Sequence, residues 1–394
     1  MIISKHLSNI FDGCFYFCLL SLVSCSSILI DPNEKKTPKK QNRVLDIGYS
    51  ELKHESINFQ NDRQKSLTNS TFKIAAVGDI MLGTNYPYNH LPDKDIVDLL
   101  EDVKPILTQA DISFGNLEGV LLDKGEPAKQ CADLKRCYVF RSPVSYAKQL
   151  KDAGFTMLSL ANNHARDFGE EGRLSTMTAL DEQGILHSGV VNNFATLTLK
   201  DSSFAMVAFA PFVGANDMLD LPLAGEVVKN LSTQYDVVMV SMHGGAEGID
   251  MTRLPFATEY FYNEDRGDVV QFARTMVDNG ADLVLGHGPH VPRAMELYKD
   301  RLIAYSLGNF ATYYGISVKG QRGLAPLLEL EVSNQGHFIS GKIHSFRQNR
   351  PNGPQPDDNN CSAKLIQQVS KQDFPESMLH ISNDGDIYKL SQSR

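Results

Sequence analysis

Five apolar runs in this chain end in the same way. AAVGD stops at Asp79, SFGNLE at Asn116 and Glu118, LSLANNH at Asn162, Asn163 and His164, VMVSMH at His243, and LVLGH at His287. A short apolar run bounded by a turn reads as a buried strand, and helix-like segments such as SYAKQLKDAG, EGRLSTMTALDEQG and DVVQFARTMVDNG separate the runs. That alternation predicts an α/β domain with buried strands. In open sheets of this kind, groups at the carboxyl ends of strands converge on one crevice. Residues far apart in the chain therefore meet, and Gly78, Gly115, Gly244 and Gly286 allow the tight turns that bring them close.

The converging side chains are carboxylates, amides and imidazoles. That mixture suits divalent ions of intermediate hardness, manganese, zinc or iron, and the spacing excludes a site built on one helix. A pair of such ions about 4 Å apart clamps a phosphoryl group and activates water, with a nearby His to protonate the leaving group. Asp167 is placed as the local partner of His164, His290 follows His287 across a Gly-Pro turn, and Arg166 and Arg293 are candidates to hold an anionic group. Singly, each residue has an ordinary reading: an Asp after a strand serves a turn or a helix cap, and paired Asn serve loops. The repetition of strand, turn and metal-type side chain separates them from His54, His187, His337 and His380, which read as structural.

Beyond RLIAYSLGNF, the segments LAPLLELEV and HFISGKIHSF predict antiparallel strands without helices. The stretch RPNGPQPDDNN is loop-like, so the domain is taken as 71–347 and residues 348–394 as a C-terminal tail of unknown role. At the other end, Lys5 and His6 precede CFYFCLLSLVSC, an apolar segment too short to span a bilayer comfortably. Residues 1–25 read as a signal peptide, and Leu22-Val23-Ser24-Cys25 resembles the bacterial lipobox, with Cys25 as the lipidated residue. Residues 26–70, with NEKKTPKKQNR, read as a polar linker that lifts the domain off the membrane. Cys131 and Cys137 are spaced to close a small disulfide loop in an oxidising compartment; zinc is the competing use, but no second pair completes a site. The net charge of −9 argues against nucleic acid as the main partner.

The motifs VGDIMLG, GNLEG, SLANNHARDFGEEG, SMHGGAEG, GHGPHV and IAYSLGNF, in this order, resemble the CapA or PgsA family of bacterial capsule-synthesis proteins, associated with poly-γ-glutamate. The segment Cys137 to Pro143 fits as well, and the resemblance covers roughly residues 72 to 312. That family is similar to calcineurin-like metallophosphoesterases, so the resemblance implies a double β-sheet sandwich flanked by helices (α/β/β/α). It also implies Asp79 as the first metal aspartate, Asn163 as a metal ligand, His164 as the catalytic histidine, and His243, His287 and His290 as later ligands. Asn116 or Glu118 falls in the region of the bridging aspartate. Three departures stand out: Met81 replaces a metal-binding histidine, the bridging Asp is not clearly present, and the final His pair has an extra residue between its members. A one-metal hydrolase, an altered two-metal site using Glu118, and a non-catalytic binding fold stay open. With the lipobox, the resemblance implies a membrane-tethered envelope protein, facing periplasm or cell exterior, that meets an anionic polymer or phosphorylated substrate and other capsule-assembly proteins.

Overall fold

The computed structural model describes residues 70–93, 98–129 and 138–391. The expected signal segment with Cys25, the linker up to residue 69 and the Cys131–Cys137 pair lie outside the described residues.

Strand Thr71–Met81 is the axis of the first sheet. Its side chains alternate between two cores, as a pleated strand requires: Phe72, Ile74 and Ala76 face one apolar cluster, Ala75 and Val77 another. On one side Ile112–Leu117, Met157–Ser159 and Leu186–Ser188 continue the sheet in parallel. On the other, Leu324–Ser333 and Phe338–Gln348 add antiparallel strands, at the positions where the sequence suggests them. In the second sheet, Val237–His243 lies between Ser202–Ala210 and Leu283–His287, all parallel. Arg301–Ala304 and Met295–Tyr298 extend one edge, and Ala195–Leu199 the other.

The two sheets face each other across Phe72, Phe114, Phe204, Met206, Met239 and Leu285. Phe72 and Phe204 meet edge to face with ring centroids 4.8 Å apart, and each such buried side chain contributes about 2–3 kcal/mol. Helices cover the outer faces. Tyr146–Asp152 and Gly169–Glu182 pack through Leu150 and Leu180 on the first sheet; Leu221–Ser232 and Val269–Asp278 lie on the second. The last of these shows why the sequence forms helix there. The Asp268 carboxylate accepts from the Val270 and Gln271 N–H groups as an N-cap, and Val269, Phe272, Ala273 and Met276 put one apolar stripe on the sheet. The architecture is an α/β/β/α sandwich.

The loop-like tail expected beyond residue 347 is instead part of this sandwich over residues 354–389. Strands Pro354–Pro356 and Asp386–Lys389 pair with Phe338–Gln348, and Leu379–Ile381 pairs with Asp386–Lys389. Helix Cys361–Asp373 sends Ala363 and Ile366 into the core between the sheets and Val369 into the core of the second. These strands are too short to show a period of two, and the helix buries its apolar residues among many polar ones, so periodicity alone misses them.

Candidate metal centre

Strand register brings the chemistry together. Asp79 stands opposite Asn116 in one neighbouring strand and opposite Asn309 in another. In the second sheet His243 stands opposite His287. Both strand ends pass so close to neighbouring backbone that a side chain is excluded: a Cβ at Gly78 would lie 1.9 Å from the Gly308 carbonyl oxygen, and one at Gly286 2.2 Å from that of Tyr305.

Asp79 is fully buried and sits at the centre. His287 Nδ1 lies 3.4 Å from Asp79 Oδ1, and His290 Nδ1 lies 3.1 Å from Oδ2. Burial alone would raise the Asp79 carboxyl, but the hydrogen bonds and charges of His287 and His290 prevail and hold it well below the usual carboxylate range. Glu118 lacks such help. Both its oxygens are buried without a hydrogen-bond partner, and burial pushes its carboxyl up to about 8, against the pull of His290. His290 is itself displaced upward: burial works against its charge, but Glu118, Asp79 and Glu247 outweigh it. Burial holds His243 well below the ordinary imidazole range. One ligand atom from each of Asp79, Glu118 and His290 lies within 4.8 Å of the others. His290 also has left-handed backbone, φ 61°, a conformation that costs a non-glycine residue about 1–3 kcal/mol and recurs at functional sites.

The hydrogen-bond network has a polarity that assigns Asn116. The His164 N–H donates to Asn162 Oδ1 at 3.0 Å, so the Asn162 amide nitrogen must point the other way. It donates to the Leu117 carbonyl at 2.9 Å and to Asn116 Oδ1 at 3.1 Å. Asn116 therefore turns its Nδ2 toward Asp79 Oδ1, 2.9 Å away, and toward His243 Nδ1, 3.4 Å away. A flipped Asn116 would set two amide donors against each other. Its oxygen accepts from Asn162, and its nitrogen orients Asp79. Asn163 is different, because its Oδ1 is buried and without a partner.

His164 and Asp167 form a dyad. Asp167 Oδ2 takes the His164 Nδ1 at 2.8 Å and the Phe140 N–H at 2.8 Å, while Lys129 Nζ stands 3.3 Å from Oδ1. The Phe140 ring lies over the imidazole with centroids 4.3 Å apart. Burial lowers the His164 pKa, opposed by the Asp167 charge, and Nε2 faces Glu118 Oε1 at 4.0 Å.

The two arginines expected to bind an anion stand in different surroundings. Arg293 is fully buried and bidentate to Glu259 at 2.7 Å and 2.7 Å, with Nε donating to the Met251 carbonyl and Nη2 to that of Ala246. It braces the loop after His243. Arg166 pairs with Glu170 at 2.8 Å and donates to the Val213 carbonyl. Met81, where a ligand histidine would stand, packs with Phe140 and Ile316 and accepts the Gly83 N–H through sulfur.

Two further residues belong to this centre. Asn309 donates from Nδ2 to the carbonyls of Ser317 and Arg322, which aims its Oδ1 at His290 Nδ1, 2.9 Å away. A sequence signal exists for it, because IAYSLGNF repeats the pattern of apolar run, glycine and polar residue. Glu247 Oε2 lies 3.6 Å from His290 Nε2; it sits in a glycine-rich loop after a strand, where spacing alone carries no signal.

A buried carboxylate–imidazole centre at the strand ends of an α/β/β/α sandwich defines the class. The particular family follows from sequence: the model of the bacterial capsule synthesis protein PGA_cap family matches residues 73–314, and the chain belongs to that family. It is 30% identical over 272 residues to the capsule biosynthesis protein CapA of Bacillus anthracis, covering 62% of this chain and 61% of that one. It is 30% identical over 268 residues to the PGA biosynthesis protein CapA of Bacillus subtilis (strain 168), covering 62% and 64%. The match thus spans less than two thirds of these curated relatives. Among solved structures, a hypothetical protein from Thermus thermophilus aligns at TM-score 0.43 with 18% identity, over 70% of this chain and 99% of that one. A 5'-nucleotidase precursor from the same organism aligns at TM-score 0.38 with 10% identity, over 77% and 59%. Overlays this loose carry no argument, and the architecture rests on the strand pairing itself.

Proposed function

We propose that this protein serves the synthesis or export of an anionic capsule polymer of the poly-γ-glutamate kind, and that its centre is a divalent-metal site that hydrolyses a phosphate ester or similar anionic substrate. One observation carries the metal. Both oxygens of Glu118, Nε2 of His243, Nε2 of His287 and Oδ1 of Asn163 are buried without hydrogen-bond partners. Buried polar atoms are nearly always paired, and each orphan costs about 1–3 kcal/mol. Those of Glu118, His243 and His287 lie beside Asp79, and orphans of ligand type around a buried carboxylate fit a cation. Asp79, Glu118, Asn163, His243, His287 and His290 would hold it, and their mixed carboxylate, amide and imidazole donors suit manganese, zinc or iron. Such an ion would polarise an anionic substrate and acidify a water. The chain's own part is proton transfer: Asp167 fixes Nδ1 of His164, so that Nε2 can take a proton from the attacking water and then pass it to the leaving group.

Family membership and the names of the relatives support the polymer as the setting. The lipobox supports a lipid anchor at Cys25 and an envelope location outside the cytoplasm, with other capsule-assembly proteins as partners. Among the described residues, no helix is long and apolar enough to cross a membrane. The net charge of −9 speaks against nucleic acid.

The test combines metal analysis of the purified protein with a panel of phosphomonoesters and phosphodiesters. Stoichiometric divalent metal and hydrolysis that His164→Ala abolishes are expected. A metal-free chain whose Tm ignores manganese and zinc would remove the metal site. Metal without hydrolysis above the His164→Ala level would instead leave a polymer-holding scaffold, a reading favoured by the neutral Asn116 and by Met81. That scaffold predicts normal capsule output from cells carrying Asp79→Ala and His243→Ala.

A further inference from the structure

With Asn116 neutral and its oxygen engaged elsewhere, the centre lacks a bridging carboxylate, and the loop after His243 supplies another acid. We infer that Glu247 is a metal ligand that acts through His290 at the edge of the Asp79, Glu118 and His290 cluster. This inference rests on the metal reading above and adds a residue to it.

The argument begins with His290. Its Nδ1 faces two acceptors, Asn309 Oδ1 at 2.9 Å and Asp79 Oδ2 at 3.1 Å, and the Asn309 amide cannot turn because its nitrogen serves two backbone carbonyls. Nδ1 therefore keeps its proton, and Nε2, once its own proton is displaced, is the nitrogen available as a ligand, an orientation fixed by the partner of the other ring nitrogen as at many metal sites. Nε2 looks between two carboxylates, with Glu118 Oε1 at 3.8 Å and Glu247 Oε2 at 3.6 Å.

Those separations are too long for N–H···O hydrogen bonds, which fall at about 2.7–3.2 Å. They are close to the spacing of donors that share an ion: ligand atoms about 2.1 Å from one metal lie roughly 3.0–3.5 Å apart at octahedral to tetrahedral angles. Glu118 is not satisfied by protein contacts, since neither of its oxygens has a hydrogen-bond partner and its side chain is fully buried. Glu247 is only 19% exposed and is steered from behind. Arg266, itself 3% exposed, donates Nη1 to Glu247 Oε1 at 3.2 Å and Nη2 to Glu264 at 2.8 Å. Its guanidinium is held between the rings of Phe212 and Phe261, at 4.9 Å and 5.3 Å. One oxygen of Glu247 is thus anchored and the other is presented to His290. Two glutamates restore the negative charge that the asparagine leaves out.

The experiment is metal titration of the full-length protein with manganese and with zinc, followed by calorimetry and by Tm, so that no enzyme assay enters. Glu247→Gln is expected to keep the metal-free Tm of wild type and to weaken binding at least tenfold, with loss of one equivalent if two ions bind. Glu247→Asp, which keeps the charge on a shorter arm, is expected to recover part of the affinity. Arg266→Gln is expected to weaken binding clearly less than Glu247→Gln does, because it removes the anchor of the carboxylate and keeps the carboxylate itself. Wild-type affinity and stoichiometry in Glu247→Gln would overturn the ligand assignment while the metal reading stands. Equal weakening in Arg266→Gln would also overturn it, making the glutamate a mere partner of its arginine. If wild type binds neither ion, the metal reading itself fails and takes this inference with it.

Discussion

Replacing Glu118 by glutamine should make the metal-free protein more stable and the metal-loaded protein less so. The Glu118 carboxyl has its pKa raised from 4.5 to about 8, chiefly by burial. The folded state therefore holds this proton more tightly than the unfolded chain. Its contribution to stability is complete below pH 4.5 and is lost as the pH climbs toward 8. At about 1.4 kcal/mol per pH unit, the loss reaches roughly 3 kcal/mol by pH 7. Glutamine carries no charge at any pH, and as a neutral buried group without partners it costs about what the protonated acid does. Glu118→Gln is thus expected to gain about 2–3 kcal/mol over wild type at pH 7 in EDTA, and almost nothing at pH 4.5. Saturating manganese or zinc should reverse the order, because the variant loses an anionic ligand. Urea denaturation at the two pH values, with and without metal, reads all of this. A variant less stable than wild type in EDTA at pH 7, or one that gains as much from metal as wild type, would refute the reasoning.

Other consequences are as direct. His164→Ala should lower hydrolysis by about 10²–10⁴-fold with metal binding unchanged, and Asp167→Asn should lower it less while altering the pH profile; equal activity in wild type and His164→Ala would remove the dyad from the chemistry. Arg293→Met leaves Glu259 buried without its partner and should cost about 3–5 kcal/mol, whereas Arg166→Ala, at a partly exposed pair, should cost no more than about 1 kcal/mol; urea midpoints that rank the two the other way would contradict the structure. Asp282, pushed up to about 6 by burial, should show that value in carboxyl NMR titration, and its stabilising contribution should fade as the pH rises from about 4 to 6; a value near 4 would mean that water reaches the carboxyl. Ile366→Ala should cost about 2–5 kcal/mol, and a cost below about 0.5 kcal/mol would deny that the C-terminal helix belongs to the core.

Most of the centre is legible in the sequence because its residues share a local signature. Asp79, His243 and His287 each end an apolar run beside or near a glycine, and buried parallel strands must end in turns on one side of the sheet. That constraint is local and readable, and it is enough to specify the α/β class and a metal-type crevice. Asn309 carries the same signature in IAYSLGNF but is hard to single out, because an asparagine after a strand has so many ordinary uses. The C-terminal segment escapes sequence reading for the opposite reason. Its strands are too short to show a period, and its helix owes its place to Ile366 and Val369 finding cores built by distant residues.

The sequence by itself determined which side chains are available: carboxylates, amides and imidazoles at strand ends. Only the tertiary structure decided what each of them does. Arg293 and Arg166 are equally basic on paper, yet one is buried and held by Glu259 while the other makes a partly exposed pair with Glu170. Asn116 and Asn163 are equally good ligands on paper, yet a chain of hydrogen bonds from the His164 N–H turns the oxygen of Asn116 away and leaves that of Asn163 unpaired. A side chain's chemistry is a property of its residue type, but its unused capacity depends on which donors and acceptors surround it. Those neighbours come from other strands, and no spacing along the chain encodes them.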